Sequence, residues 1–270
     1  MPEGPEVKVI TRELNKILKE NHVLEIIVQG GRYKQKDIEK YQEFINLPLE
    51  DKKIISVNCK GKFIWFQFPN QWSLWCTLGM SGGWRTSDCK HCDVKLVTDQ
   101  QPVWFQDQRH FGTLKFCDST SQLQKKLASL GPDLLSDDTI TLEQFTSKIQ
   151  KYKNQTLPKV LMNQSIFSGI GNYLKSEILY ATKISPFRKI QDITNLEFKE
   201  LFDNINKIIQ DSYKAGGASI RNYSDLYQNN GKYTFSFQVY NKKEDVNGNT
   251  VKKEMTSDDR TTHWVPQIQK

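Results

Sequence analysis

The first six residues of the chain, Met-Pro-Glu-Gly-Pro-Glu, supply an amine and two carboxylates. An initiator Met followed by a small residue such as Pro2 is normally removed, which would leave Pro2 with a free secondary amine. An α-amino group has a pKa of about 7.7–8.0, and the positive potential of a helix N-terminus lowers that pKa further. A neutral amine is a nucleophile that forms Schiff bases with sugar carbons. The sequence therefore predicts an amine nucleophile at Pro2.

Glu3 is adjacent to this amine and can transfer protons as a general acid or base. Glu6 lies one helical turn later, so both carboxylates can face one site. A simpler interpretation stays open, because carboxylates favour helix N-termini through the helix dipole alone.

Two glycines flank Ile170 in the sequence Gly169-Ile170-Gly171-Asn172. Glycines let the backbone approach a ligand closely, and the exposed N–H groups of a following helix favour an anion. The alternative for a single Gly-x-Gly is a tight turn between two helices.

Large side chains stand next to glycines in two further stretches, Met80 in LGMSGG and Arg109 with Phe111 in DQRHFG. Apolar wedges and an arginine suit a protein that fills a nucleic-acid duplex after a base has been displaced. Taken singly, Met80 and Phe111 are also typical core residues.

Lys62, Arg260 and the pair Cys89 and Cys92 complete the set of candidate residues. The two cations could face phosphates or only solvent. The C-x-x-C spacing resembles half of a zinc site, but a closed site needs four ligands and no second pair lies at a suitable spacing. We therefore predict no metal there.

The composition narrows the class of protein. The chain has 270 residues, a net charge of +7 and an isoelectric point near 9.0, which suits an anionic polymer as partner. A basic protein without such a partner is the alternative. Five cysteines indicate reduced thiols, and the absence of an apolar signal core or a membrane-length apolar run predicts an intracellular protein.

The predicted secondary structure changes along the chain from one helix to strands, then to helices and finally to two strands. An apolar stripe at Val7, Ile10, Leu14, Ile17 and Leu18 predicts an opening helix, and short β-branched and aromatic runs up to residue 118 predict an antiparallel sandwich or barrel. Helices follow: capping boxes are predicted at Thr141 with Gln144 and at Thr194 with Glu197. Residues 232–243 and 261–269 predict two final strands around an Asn-Gly-Asn turn.

Six motifs together resemble the formamidopyrimidine-DNA glycosylase / endonuclease VIII family. In order they are MPEGPE, the Gly61-Lys62 pair, LGMSG, D-x-R-x-F-G, GIGNYLKSEIL and a terminal R-x-T hairpin, and they run from Pro2 to Gln269. The chain is most similar to the Nei-like branch whose finger lacks zinc, as in vertebrate Nei-like enzymes and those of mimivirus-type giant viruses. The run GIGNYLKSEILYATKISPF carries this likeness.

The resemblance implies an α+β fold in three parts. These are a catalytic β-sandwich domain with an opening helix at residues 1–133, a helix–two-turns–helix domain at 134–231 and a finger hairpin at 232–270. Bacterial relatives hold zinc in the finger through four cysteines, but Val265 and Ile268 replace the second pair and no cysteine follows Cys117. We expect hairpin packing to hold the finger, with no metal and no cofactor.

The resemblance also implies a bifunctional DNA glycosylase and AP lyase of base excision repair. Pro2 would attack C1′ through a Schiff base, and β,δ-elimination would cut the strand. Glu3 would transfer protons and Glu6 would orient the site. Phosphates would be bound by Lys62, Asn172 and Arg260, together with Gly169 and Gly171. Lys62 and Arg260 would also belong to the catalytic residues. Met80, Arg109 and Phe111 would fill the space left by the damaged nucleotide.

The Nei-like branch implies oxidised pyrimidines and guanine hydantoins as substrates. An enzyme of the formamidopyrimidine and 8-oxoguanine type is the alternative, because plant members of that branch also lack zinc. The stretch AGGASIRNY from Ala215 would cap the lesion. A non-catalytic DNA-binding protein is the alternative from another class. The expected partner is damaged double-stranded DNA, with single-stranded and bubble DNA left open, and the chain is expected to be a monomer that binds no membrane.

Overall fold

The computed structural model of the chain describes residues 1–136, 140–218, 225–229 and 231–270. It divides into two compact units, Met1–Ser129 with Ala215–Lys232 and Leu130–Lys214 with Tyr233–Lys270. The helical middle and the C-terminal hairpin thus share one unit, whereas residues 215–232 fold with the first. The predicted three-part division stays a prediction. Within the described ranges, no helix combines the length and apolar character that crossing a bilayer requires.

The first unit opens with helix α1 (Gly4–Leu18). Pro5 occupies the first turn, where a missing N–H costs no helical hydrogen bond. The predicted stripe is buried at Val7, Ile10, Leu14 and Leu18. Burial of this face fixes the N-terminal end of α1 against the sheets of the unit.

Antiparallel strands of the first unit form two four-stranded sheets. The first has the order β1 (Val23–Val28), β6 (Cys92–Thr98), β7 (Val103–Asp107) and β5 (Gly82–Arg85). The second has the order β2 (Ser56–Lys60), β3 (Phe63–Gln67), β4 (Ser73–Thr77) and β8 (Thr113–Cys117). The predicted antiparallel sandwich is confirmed, and the loops β4–β5 and β7–β8 carry the candidate wedge residues.

Two short helices of this unit were not predicted, α2 (Tyr41–Ile45) and α3 (Thr120–Ala128). The only buried residue of α3 is Leu123, so the helix has no apolar stripe to reveal it. Its start is fixed by Ser119, whose hydroxyl accepts a hydrogen bond from the Gln122 N–H.

The second unit contains α4 (Leu142–Gln150), α5 (Leu157–Met162), α6 (Asn172–Ala181) and α7 (Asn195–Lys214). Both predicted capping boxes form. Thr141 caps α4 reciprocally with Gln144, and the Thr194 hydroxyl and Glu197 carboxylate exchange hydrogen bonds with each other's backbone at the start of α7. The helical middle expected from the sequence is confirmed.

The C-terminal hairpin differs from the prediction. Its strands are β9 (Lys252–Met255) and β10 (Thr261–Trp264), joined by a turn at residues 256–260. The strand predicted for residues 232–243 is wrong: Tyr233–Ser236 is a 3-10 helix, and the Glu177 carboxylate accepts the N–H groups of residues 238, 239 and 240 at 2.7–3.1 Å. Those donors are therefore not available to a strand ladder.

An apolar cluster lies beneath this hairpin. Val239, Val251 and Val265 are buried together, with Tyr180 and Ile268 packed against them. The Asn-Gly-Asn stretch does turn, but the Asp245 carboxylate closes it by accepting the N–H groups of Asn247 and Asn249. Val265 and Ile268 thus contribute to hydrophobic packing where zinc-binding relatives would carry cysteines.

Candidate active site

The N-terminus is organised by two buried carboxylates. Glu3 and Glu6 form a reciprocal capping box, in which the Glu3 N–H donates to Glu6 Oε2 at 2.7 Å. Their exposed fractions are only 2 % and 0 %. Carboxylates placed at a helix end merely for the dipole normally remain solvated, so this degree of burial favours the catalytic interpretation.

The second oxygen of Glu6 has a distant partner. Glu6 Oε1 accepts the backbone N–H of Ala218 at 2.7 Å, across 212 positions of sequence. Ala218 immediately precedes residues 219–224, which lie outside the described residues and include most of the predicted lesion cap. Glu6 is therefore fixed by two backbone donors. Sequence reasoning missed Ala218 because a backbone donor leaves no signature in the residue type.

The N-terminal amine has a lowered pKa. The amine present belongs to Met1, and its removal from water is the main cause of the lowering. Glu3 and Glu6 oppose it by raising the pKa, whereas the cations of Lys62 and Arg109 lower it again. These predicted site residues thus act electrostatically on one amine. Pro2 itself is buried.

The loops β4–β5 and β7–β8 are tied together by one carboxylate. Asp107 Oδ1 accepts hydrogen bonds from the Ser81 hydroxyl at 2.7 Å and the Arg109 N–H at 3.3 Å, and Asp107 Oδ2 accepts the Gly112 N–H at 2.6 Å. Asp107 is 1 % exposed. Sequence reasoning gave it no role, although the D-x-R-x-F-G motif contains it.

These loops approach each other closely at Gly79. Its φ is +57°, and a Cβ there would lie 2.7 Å from the carbonyl carbon of Phe111. Phe111 is 54 % exposed, which argues against the core interpretation, and Met80 is half-buried. The Arg109 guanidinium lies 5.1 Å from the Phe111 ring centroid. The three predicted wedge residues therefore lie on two directly adjoining loops.

In the second unit, the Gly-x-Gly loop is held by a glutamine. Gln164 Oε1 accepts the Gly169 N–H at 3.0 Å, and Gln164 Nε2 donates to the Ile170 carbonyl at 2.9 Å. Gly169 has a φ of +101°, a conformation that side chains rarely allow, and Gly171 caps α6. The loop therefore presents the start of α6 with Asn172 as its first residue.

Asn172 contacts the residue that follows Arg260. Asn172 Nδ2 donates to the carbonyl of Thr261 at 3.0 Å. Asn172 Oδ1 is buried and has no hydrogen-bond partner among the residues that the structure describes. Arg260 is exposed in the turn before β10. The structure thus brings the backbone next to Arg260 to the start of α6.

A buried ion pair supports the turn that carries Arg260. Lys175 Nζ lies 2.7 Å from Asp258 Oδ2, and the two side chains are 0 % and 3 % exposed. Thr256 adds a hydrogen bond from its hydroxyl to the Arg260 carbonyl at 3.1 Å. Sequence reasoning missed this pair, because the 83 positions between the two residues hide their contact.

Among the described residues, no group of three or more His, Cys, Asp or Glu side chains is arranged to hold a metal ion. Cys89 and Cys92 lie together but have no third ligand there.

Three family models together match most of the chain. The formamidopyrimidine-DNA glycosylase N-terminal domain matches residues 1–114, the H2TH domain of the same enzymes matches 130–224 and their C-terminal domain matches 229–270. The order of the three is the order that the motifs of the sequence predicted.

Similar proteins share this assignment. The formamidopyrimidine-DNA glycosylase of Mycoplasma mobile is 31 % identical over 249 residues, covering 90 % of this chain and 88 % of that protein. A mutant Lactococcus lactis Fpg in complex with DNA containing Fapy-dG is 26 % identical, covers 100 % of both chains and has a TM-score of 0.87. The Lactococcus lactis Fpg bound to DNA with an abasic site is 27 % identical over 99 % of both chains, with a TM-score of 0.86.

Proposed function

Since the chain belongs to the formamidopyrimidine-DNA glycosylase family and is a DNA glycosylase of base excision repair, we propose that it also cuts the DNA strand as an AP lyase. The observation that carries this proposal is that Pro2 is buried at the start of α1 directly beside two buried carboxylates, Glu3 and Glu6. A glycosylase that used only water would need no such amine.

The nucleophile is Pro2 after removal of Met1. Its nitrogen attacks C1′ of the damaged nucleotide while the bond from C1′ to the base breaks and the base leaves with a proton. The attacking nitrogen loses its proton, and the C1′–O4′ bond of the sugar breaks as O4′ takes up a proton. The product is an iminium ion, because the amine is secondary, and this cation is a strong electron sink. Loss of a C2′ proton then expels the 3′ phosphate, and a second elimination expels the 5′ phosphate.

The two carboxylates divide the work. Glu3 transfers protons at the sugar, as its position directly after the amine allows. Glu6 orients the site, because both of its oxygens are already used by backbone N–H groups. Removing Glu3 should affect chemistry, whereas removing Glu6 should affect geometry and stability as well.

Lys62, Asn172 and Arg260 are the residues proposed to bind DNA phosphates. The Gly169 to Gly171 loop supports this by positioning the N-terminus of α6, with Gly171 as its N-cap. Met80, Arg109 and Phe111 occupy the space that the displaced nucleotide leaves.

Oxidised pyrimidines and guanine hydantoins are the proposed lesions, on the strength of the resemblance to the Nei-like branch that the run GIGNYLKSEILYATKISPF carries. Formamidopyrimidines and 8-oxoguanine form a second candidate class, which the names of the similar proteins favour. The proposed partner is damaged duplex DNA, bound by a monomer inside the cell.

The test is strand cleavage of end-labelled duplexes that carry thymine glycol, a hydantoin, a formamidopyrimidine or 8-oxoguanine. We expect β,δ-elimination products from the wild type and from the surface control Lys19→Gln, and a much lower yield from Pro2→Gly, whose N-terminal amine is primary. If the protein excises formamidopyrimidine or 8-oxoguanine fastest, that class replaces oxidised pyrimidines and hydantoins as the proposed substrate. DNA binding without excision or cleavage of any substrate would contradict the proposal and favour the alternative of a non-catalytic DNA-binding protein.

A further inference from the structure

The C-x-x-C turn before β6 is not used by the proposed chemistry. Cys89 Sγ and Cys92 Sγ lie 2.7 Å apart, and the Cys92 N–H closes the turn on the Cys89 carbonyl at 3.1 Å. Cys92 is buried and Cys89 is half-buried, so a small molecule can reach one of the two thiols from solvent. The other three cysteines, Cys59, Cys76 and Cys117, also form no disulfide.

The turn is bonded directly to the chain that leads into the β7–β8 loop. The His91 carbonyl accepts the Asp107 N–H at 2.9 Å, and Gln106 Nε2 donates to the Lys90 carbonyl at 2.7 Å. Asp107 in turn holds Ser81, Arg109 and Gly112, as described above. A change within the turn therefore acts on the carboxylate that fixes both wedge loops.

A second connection runs through the residue after Cys92. Asp93 Oδ2 lies 2.7 Å from Nδ1 of His110, the residue between Arg109 and Phe111. Asp93 is 5 % exposed, whereas His110 has an exposed side chain and a φ of +56°. The C-x-x-C turn thus contacts both the base and the tip of the β7–β8 loop.

We propose that Cys89 and Cys92 are a thiol–disulfide pair that exchanges with small disulfides, and that their redox state sets the conformation of the β7–β8 loop. The Cys89 thiolate attacks one sulfur of the small disulfide and releases one small thiolate. The Cys92 sulfur, after losing its proton to solvent, attacks Cys89 and releases the second. Two protein thiols become one disulfide while one small disulfide becomes two thiols.

The order of attack follows from burial. Burial and the neighbouring Cys89 raise the pKa of the Cys92 thiol to about 12, so Cys92 stays protonated at neutral pH. Cys89 is the more accessible of the two and therefore attacks first. The pair has no third ligand among the described residues, which favours redox chemistry over metal binding.

The first experiment equilibrates the full-length protein in buffers of reduced and oxidised glutathione, then alkylates and maps the thiols by mass spectrometry. We expect one peptide with linked Cys89 and Cys92, about 2 Da lighter, and alkylation of the three remaining cysteines. Cys89→Ser should lose this signal and Cys117→Ser should keep it. Alkylation of both Cys89 and Cys92 in strongly oxidising buffer would overturn the proposal.

The second experiment measures the loop. A fluorescent base analogue opposite an abasic-site analogue reports insertion of the wedge residues, without any need for excision. We expect its signal on binding to change at least twofold between the reduced and oxidised protein, and not in Cys89→Ser. An oxidised pair with an unchanged signal would overturn the link to the loop. This proposal is independent of the lyase chemistry, since neither readout requires Pro2 to react.

Discussion

Glu6 holds Ala218 by a hydrogen bond of 2.7 Å while its other oxygen holds the N–H of Glu3 at the same distance. One buried carboxylate thereby joins the start of the chain to the segment before residues 219–224. The amine, its neighbouring acid and this segment form one structural group within the first unit. This arrangement leads to a division of roles between the two glutamates.

Glu6→Gln should lower stability more than Glu3→Gln. A glutamine at position 6 has only one acceptor oxygen, so one buried N–H loses its partner, which costs about 1–3 kcal/mol. Glu3→Gln keeps an acceptor for the capping box but should slow base excision by at least about 100-fold through loss of proton transfer. Urea denaturation and single-turnover excision rates measure the two effects. Equal stabilities with equal rates would contradict the division of roles.

Asp107→Ala should loosen both wedge loops at once. The Ser81 hydroxyl and the Gly112 N–H lose a buried acceptor, while the Arg109 N–H keeps Ser81 Oγ at 2.9 Å, so we expect a loss of about 2–4 kcal/mol in the free energy of unfolding. Ser81→Ala leaves the Arg109 N–H and the Gly112 N–H bonded to Asp107 and should cost about 1 kcal/mol. Denaturation of both variants, with base-analogue fluorescence on bound DNA, checks this. A smaller effect for Asp107→Ala than for Ser81→Ala would be inconsistent with a shared anchor.

Substitution of the proposed phosphate-binding residues should distinguish charged from neutral contacts by the salt dependence of DNA binding. Lys62→Ala and Arg260→Ala should each weaken DNA binding and reduce the slope of log K against log salt by about one. Asn172→Ala should weaken binding with little change in slope, because the amide carries no charge. Fluorescence anisotropy over a range of KCl concentrations measures both quantities. Lys19→Gln, on the exposed end of α1, is a control for loss of a cation elsewhere.

His263 should make the second unit sensitive to acid. Burial, with the cations of Lys253 and Lys175, lowers the pKa of its imidazole to about 4. The unfolded chain binds this proton near pH 6.5 and the folded chain does not, so stability falls as pH drops from 6.5 to 4. The loss attributable to this residue is on the order of 3 kcal/mol. In His263→Phe, denaturation at several pH values should show a shallower dependence in this window, and an unchanged slope would refute the assignment.

Elements with local signals could be predicted from the sequence. The boxes at Thr141 and Thr194 depend on residues three positions apart, and both form as expected. The C-terminal strand prediction failed because an Asn-Gly-Asn turn does not determine which flanking segments pair. The Glu177 carboxylate, 61 to 63 positions away from its donors, takes the N–H groups that a strand at 238–240 would need.

In the candidate site, too, the residues with a local sequence signal could be predicted and those set by distant contacts could not. Residues whose types suggest chemistry, such as Pro2, Glu3 and Arg109, could be named as candidates from the sequence, and their roles stay predictions. Their supports could not, because Asp107, Gln164 and Ala218 act through hydrogen bonds to or from backbone and hydroxyl groups. Such partners are determined by tertiary packing, which leaves no local pattern of residue types.

The most direct test of the amine nucleophile is borohydride trapping. The protein is mixed with a duplex that contains one abasic site, reduced, digested and mapped by peptide mass spectrometry. We expect a covalent adduct on Pro2, with Met1 absent from the intact mass, and retention of the adduct in Lys19→Gln. An adduct on a lysine, or none at all while DNA binding is intact, would contradict Pro2 as the nucleophile.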